Sequence, residues 1–234
     1  MTATDRPTVS KEDVERLLKT ERFRYQRINL PHGLHTQGHD RTPTVRCIFD
    51  DDLHGASVLD IGCCYGFFCY EAKRRHAGRV VGLEIDPERY RQAVILQRIC
   101  NVDIELRQAD FQDVVDQEHF DYVLLLNVIH HLPNPIGALN QIAGCVRKCF
   151  VLEFSTLTDR YARRRFGRSF SMMSHWLNRF PVLAISPLPE DPPKFVMSSS
   201  AVRRLLLEQR NLYRSVRILR SPFRTGREIA ICEK

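Results

Sequence analysis

From Ser57 onward the chain alternates short, uninterrupted apolar runs with longer amphipathic stretches, and no other feature limits its fold so tightly. The runs fall at residues 57–61, 79–84, 104–107, 120–126, 150–154, 215–219 and 228–232, bounded by Gly, Asp or Asn. A stretch such as Val123-Leu-Leu-Leu126 has no polar side, so as a strand it must be covered on both faces. Helical patterns at 67–75, 87–100, 135–146 and 199–210 supply that cover and carry the crossovers between parallel strands. The last two strands are joined only by Ser-Pro-Phe-Arg-Thr-Gly, too short for a helix, and are therefore antiparallel. The expected fold class is α/β: a doubly wound, seven-stranded, mostly parallel sheet with an antiparallel last strand.

With 234 residues and 43% apolar composition, the chain has room for one sizeable core and an elaboration rather than two independent domains. The net charge of +7 leaves an anionic partner open without naming it. No stretch reaches the roughly 18 apolar residues of a membrane span. The first residues carry no basic segment followed by an apolar one, so a cytoplasmic protein with no membrane partner is expected. The eight cysteines include no CxxC pair, which points to reduced, buried thiols and to no metal.

Residues 1–50 read as an N-terminal helix, with Ser10 three positions ahead of Asp13 as its cap, followed by a Gly-, Pro- and His-rich loop. Within that loop, residues 33–43, with Thr36, Gln37, Gly38, His39, Asp40 and Arg41, are a candidate cofactor clamp. Residues 51–154 and 198–234 form the core. Residues 155–197 are far too long for a connector between a strand and a helix and read as an inserted substrate lid. Its first half is basic and aromatic, its second half proline-rich.

Val58-Leu-Asp60-Ile-Gly62-Cys63-Cys64-Tyr65-Gly66 runs strand, tight turn, helix, and its glycines let backbone approach a ligand. Such loops also serve pyrophosphates, but Asp60 beside the first glycine is poor company for phosphate and good company for an ammonium. About 20 residues on, Glu84 ends the second strand, where a carboxylate accepts both hydroxyls of a ribose. Asp110, followed by Phe111, comes after the third strand, where an acid can accept an adenine amine. Together these acids describe a ligand with an ammonium end, a ribose and an adenine, and no polyphosphate.

The chain here resembles the class I S-adenosylmethionine-dependent methyltransferases. Asp60-Ile-Gly62-Cys63-Cys64-Tyr65-Gly66 looks like their first motif, Glu84 like their ribose acid with Ile85 beside it, and Asp110 with Phe111 like their adenine contact. Residues 120–133, with Asn127, His130 and His131, look like their fourth strand and the turn after it. The resemblance implies S-adenosyl-L-methionine as cofactor, Asn127 on the cofactor side, and His130 or His131 as a base near the transferred methyl. Cys64 departs from the pattern, standing where the motif usually has a second glycine.

Asn127-Val-Ile-His130 replaces the Asn/Asp-Pro-Pro-aromatic turn of many amine methyltransferases, which favours an oxygen or carbon acceptor. Arg164, Arg165, Tyr161 and Trp176 of the insertion are the candidate substrate contacts. They suit a small molecule with an apolar body and an anionic group. The same residues would also suit RNA, such as tRNA, with arginines on phosphates and rings under a splayed base. A modified sulfonium cofactor and a non-catalytic cofactor-binding scaffold are the remaining alternatives.

Overall fold

The computed structural model describes residues 9–159, 164, 170, 172–185, 194–208 and 212–234. Seven strands form one sheet: β1 (Val58–Ile61), β2 (Val80–Leu83), β3 (Glu105–Arg107), β4 (Phe120–Leu126), β5 (Val146–Ser155), β8 (Ser215–Arg220) and β9 (Arg227–Glu233), in the order β3-β2-β1-β4-β5-β9-β8. β1 pairs in parallel with both β2 and β4, so the winding reverses at β1 and opens a crevice beyond the carboxyl ends of β1 and β4. β9 runs antiparallel to both β5 and β8, as the short final link requires.

Alternate residues of the same strands feed two cores, one on each face of the sheet. Val58, Val80, Leu124 and Val151 join α2 (Thr42–Ile48), α3 (Phe67–Arg74) and Leu96 of α4 (Pro87–Cys100). Leu59, Val81, Leu125 and Leu152 join α5 (Gln112–Val115), α6 (Pro135–Cys145) and α7 (Ser199–Arg203). Burial on both faces accounts for the unbroken apolar texture of the central strands.

α1 (Lys11–Thr20) starts as its spacing predicts, with Ser10 Oγ accepting the Asp13 N–H at 3.1 Å. Other details differ from the sequence expectation. α2 begins where a loop was expected, because Pro43 sits in its first turn, where a missing N–H costs nothing. β5 begins four residues early, its exposed Arg147 and Lys148 interrupting the apolar run. The insertion contains a small antiparallel pair, β6 (Leu183–Ile185) with β7 (Phe195–Met197), and helical residues 172–177. Among the described residues no helix is long and apolar enough to cross a membrane.

Candidate active site

The turn after β1 is built from three left-handed positions, Gly62, Cys64 and Gly66, and one close contact. Gly62 has φ +73°, and a Cβ on it would stand 2.5 Å from Val128 Cγ2, so both backbone and space require glycine. Cys64 also lies in the left-handed region, at φ +54°, where a side chain costs on the order of 1 kcal/mol. Its N–H donates to Glu84 Oε2 at 2.9 Å, which helps hold it there. Glu84, buried just past the end of β2, also accepts the Asp86 N–H on Oε1 at 3.0 Å and so ties the loop to the start of α4. A carboxylate oxygen can accept two donors and each of these has one, so capacity remains for a ligand's hydroxyls.

The loop amides argue about ligand class. Gly62 and Cys63 donate to Leu83 O at 2.8 and 2.9 Å, and Gly66 to Cys63 O at 2.9 Å. Tyr65 and Phe67 donate to Gln26 Oε1 at 3.0 and 3.4 Å, and Cys64 is taken by Glu84. Every amide from residue 62 to 67 therefore has an acceptor within the protein, whereas a polyphosphate cradle needs those donors free. A polyphosphate is therefore a poor fit to this loop.

Gln26 was not legible in the sequence: it lies 39 residues from Tyr65 in a segment without periodicity. The Gly33–Pro43 loop holds it. Thr36 Oγ1 donates to Gln26 O at 2.6 Å, and the His39 N–H to Tyr25 O at 3.1 Å. Gly38, at φ +138°, passes so close that a Cβ would meet Tyr25 C at 2.7 Å. Asp40 Oδ1 accepts the Thr42 N–H at 2.9 Å at the start of α2.

Asp60 is buried under the loop, and its Oδ2 accepts the Cys69 thiol at 3.8 Å. Burial first, then the neighbouring Glu84 charge, push its carboxyl up to about 7, against the Cys69 hydrogen bond and Arg41. A cationic ligand end needs the carboxylate form. Cofactor affinity should therefore rise with pH up to about 7 and level off above it, and Asp60→Asn should flatten that slope; calorimetry on either side of neutrality checks this. Ile85 projects into solvent beside Glu84. Asp110 is half-buried, with Oδ1 accepting the Gln112 N–H at 3.1 Å, and Phe111 is buried behind it.

Beyond the carboxyl ends of β4 and β5 lies a cavity of about 230 Å³, lined by Tyr25, Asn127, His130, His131, Ser155, Lys194, Phe223, Arg224 and Arg227. The turn Ile129–His131 brings the two histidine rings to 4.1 Å between centroids. His130 Nδ1 is buried without a hydrogen-bond partner. Burial, then the charges of His131, Arg227 and Lys194, push this imidazole down to about 3, so it is neutral at physiological pH.

Asn127 sits at φ +63° with its carboxamide committed at both ends: Nδ2 donates to Glu153 and Oδ1 accepts from Arg227. Its main-chain N–H donates to Glu153 O at 3.1 Å as well, and the second hydrogen of Nδ2 is left for a ligand. Glu153, fully buried, also accepts from Arg41 Nη2 at 2.6 Å and from Ser221. Arg227 Nε in turn donates to Asp159 at 3.2 Å, and the Arg41 guanidinium lies 4.0 Å from the Phe223 ring centroid. This network joins the N-terminal segment over the loop to the walls of the cavity.

Of the insertion's candidate substrate contacts, only Arg164 and Trp176 are among the described residues. Tyr161 and Arg165 lie outside the described residues. Arg164 is helical and exposed, and Trp176 is exposed against Phe180; neither lines the cavity. Lys194, Phe223, Arg224 and Arg227 were not singled out, since nothing in their local spacing marks them.

A family described as a methyltransferase domain matches residues 15–209. The chain is 30% identical over 109 residues to a ubiquinone biosynthesis O-methyltransferase of Neisseria meningitidis serogroup C, covering 45% of this chain and 46% of that protein. It is 26% identical over 147 residues to a tRNA U34 carboxymethyltransferase of Marinobacter nauticus, covering 55% and 44%. The chain thus spans about half the length of these curated relatives. Its fold is similar to that of the N-terminal domain of EvdMO1, solved in the presence of SAH and D-fucose, with TM-score 0.68, 15% identity and 97% of each chain covered. It is also similar to magnesium protoporphyrin IX methyltransferase of Synechocystis PCC 6803 with bound SAM, with TM-score 0.54, 14% identity and coverage of 77% and 70%.

Proposed function

The chain belongs to the class I S-adenosylmethionine-dependent methyltransferases, and from that premise we propose that it methylates an oxygen or carbon nucleophile of a small molecule with an apolar body and an anionic group. The observation that carries this reading is the cavity beyond β4 and β5. Among the described residues that line it, two aromatic rings and two histidines stand with Lys194, Arg224 and Arg227, and no carboxylate is present. Such walls favour an anion and an apolar ring together.

S-adenosylmethionine supplies a methyl group already activated by a positively charged sulfur, so the protein mainly has to align the acceptor and exclude water. In this reading the Asp60–Gly66 loop holds the amino-acid end, Glu84 the ribose with Ile85 beside it, and Asp110 with Phe111 the adenine. His130 takes the acceptor's proton. Its neutral form and unpartnered Nδ1 suit that role; burial is the first cause of its low basicity, and an anionic acceptor beside Arg227 and Lys194 would offset the second, the neighbouring charges.

His130→Ala is expected to lower kcat by roughly 10²–10⁴-fold while leaving cofactor affinity within a factor of about three. Single-turnover assays on hydroxylated aromatic carboxylates, with calorimetry of the cofactor, measure both. An unchanged kcat would remove His130 from catalysis, and His131→Ala then tests its neighbour.

A second reading, modification of a tRNA base with a methyl or altered sulfonium donor, draws on the similarity to the tRNA carboxymethyltransferase and on the net charge of +7. It differs in salt response: RNA binding would fall steeply between low and moderate salt, binding of a monoanionic acceptor only shallowly.

A further inference from the structure

Exposed large apolar side chains are not spread over this protein. Of the nine among the described residues, six are Met172, Met173, Trp176, Phe180, Leu183 and Ile185. Their exposure follows from how this part of the insertion packs. Leu177, Val182 and Ala184 turn onto a small core around Leu157 and Val196, and Ser174 is fully buried. The alternation of β6 then sends the larger Leu183 and Ile185 outward while Ala184 goes in. Residues 172–177 do the same, leaving Met172 84% and Trp176 59% exposed. Phe170 also packs on that core, and a segment that still leaves six large apolar side chains exposed is presenting a contact surface.

The charge of the same segment indicates what is contacted. Residues 160–189 hold six arginines and not one Asp, Glu or Lys. Of these, Arg164 and Arg179 are described and exposed. Bulky apolar groups and an aromatic among arginines are the composition of a segment that lies in the headgroup layer of an anionic bilayer. The surface also adjoins the cavity: His175 and Asn178 line a second hollow together with Phe223, Arg224 and Arg227.

We propose that this face of the insertion docks the protein on an anionic lipid surface, with Trp176 and its apolar neighbours entering the interface and the arginines pairing with headgroups. A contact of this kind needs no spanning helix, and it revises the expectation that a membrane is no partner. It does not depend on which acceptor the cavity takes.

Trp176 is the only tryptophan in the chain, so its fluorescence reports on this surface alone. The experiment titrates the whole protein with vesicles of phosphatidylcholine, with or without 30% phosphatidylglycerol (about 30% anionic lipid is a common surface charge). Trp176 emission should shift to shorter wavelength with the anionic vesicles and be quenched by brominated acyl chains. Affinity should exceed that for neutral vesicles by roughly 30-fold, as two arginines near the surface predict, and should fall with added salt.

The double variant Met172→Ser with Met173→Ser should weaken vesicle binding by roughly tenfold or more while leaving cofactor binding unchanged, which establishes that the variant is folded. Emission unmoved by anionic vesicles would overturn the proposal. So would equal response to neutral vesicles, an emission that shifts with protein concentration alone because a second copy covers the face, or a vesicle response abolished by a short single-stranded RNA that itself moves the emission.

Discussion

Glu153→Leu is expected to lower thermal stability by about 3–5 kcal/mol, because it removes the acceptor of a buried guanidinium and leaves that charge unpaired. Arg41 is almost wholly buried, its Nη2 donates to Glu153 at 2.6 Å, and Asn127 and Ser221 lose an acceptor in the same substitution. For a chain of this length the loss corresponds to a fall in Tm of roughly 6–20 °C. Adding Arg41→Leu should recover part of it, since the second change removes the stranded charge. Calorimetric melting of the single and double variants checks the coupling. A double variant less stable than either single one would mean that the two groups do not act as a pair.

Glu84→Ala should weaken S-adenosylmethionine binding by roughly 10²–10⁴-fold, the equivalent of two charge-assisted hydrogen bonds at about 1.5–3 kcal/mol each. The carboxylate has two tasks. It accepts the Cys64 and Asp86 amides and so shapes the loop, and its remaining lone pairs are free for the ribose. Glu84→Gln keeps the size and one carbonyl acceptor and should fall between wild type and alanine. An affinity within a factor of about three of wild type in Glu84→Ala, measured by calorimetry, would reject the ribose assignment.

The sheet and the first loop were legible because each depends on local pattern. Val123-Leu-Leu-Leu126 can only be a strand covered twice, and Asp60, Gly62, Gly66 and Glu84 sit at the ends of β1 and β2, where a parallel sheet presents its loops. Even the departure at Cys64 was visible in advance, and the left-handed backbone there bears on it directly. Gln26, Glu153 and Arg227 were not legible as parts of the site. They act across 39, 26 and 100 residues of sequence, on Tyr65, from Glu153 onto Asn127, and from Arg227 onto Asn127. Side-chain pairing across such separations leaves no period to read.

Asn127 illustrates the consequence. Its place after β4 marks it as a cofactor residue, and the structure adds a second task, since its side chain also ties Glu153 to Arg227 in the cavity wall. Trp176 illustrates another. Its aromatic, basic surroundings suggested an acceptor contact, but the small core at Leu157 and Val196 takes the opposite side of its segment and leaves the indole outside.

The glycine loop of this chain is expected to hold S-adenosylmethionine through carboxylates, its own amides being satisfied from within. Calorimetric titration of the whole protein with S-adenosylmethionine, alone and after saturation with NAD, tests it most directly. One site per chain is expected, its heat and affinity unchanged by NAD, because no loop amide from Gly62 to Phe67 is available for a pyrophosphate. Absence of S-adenosylmethionine binding, or its competitive displacement by NAD, would contradict it.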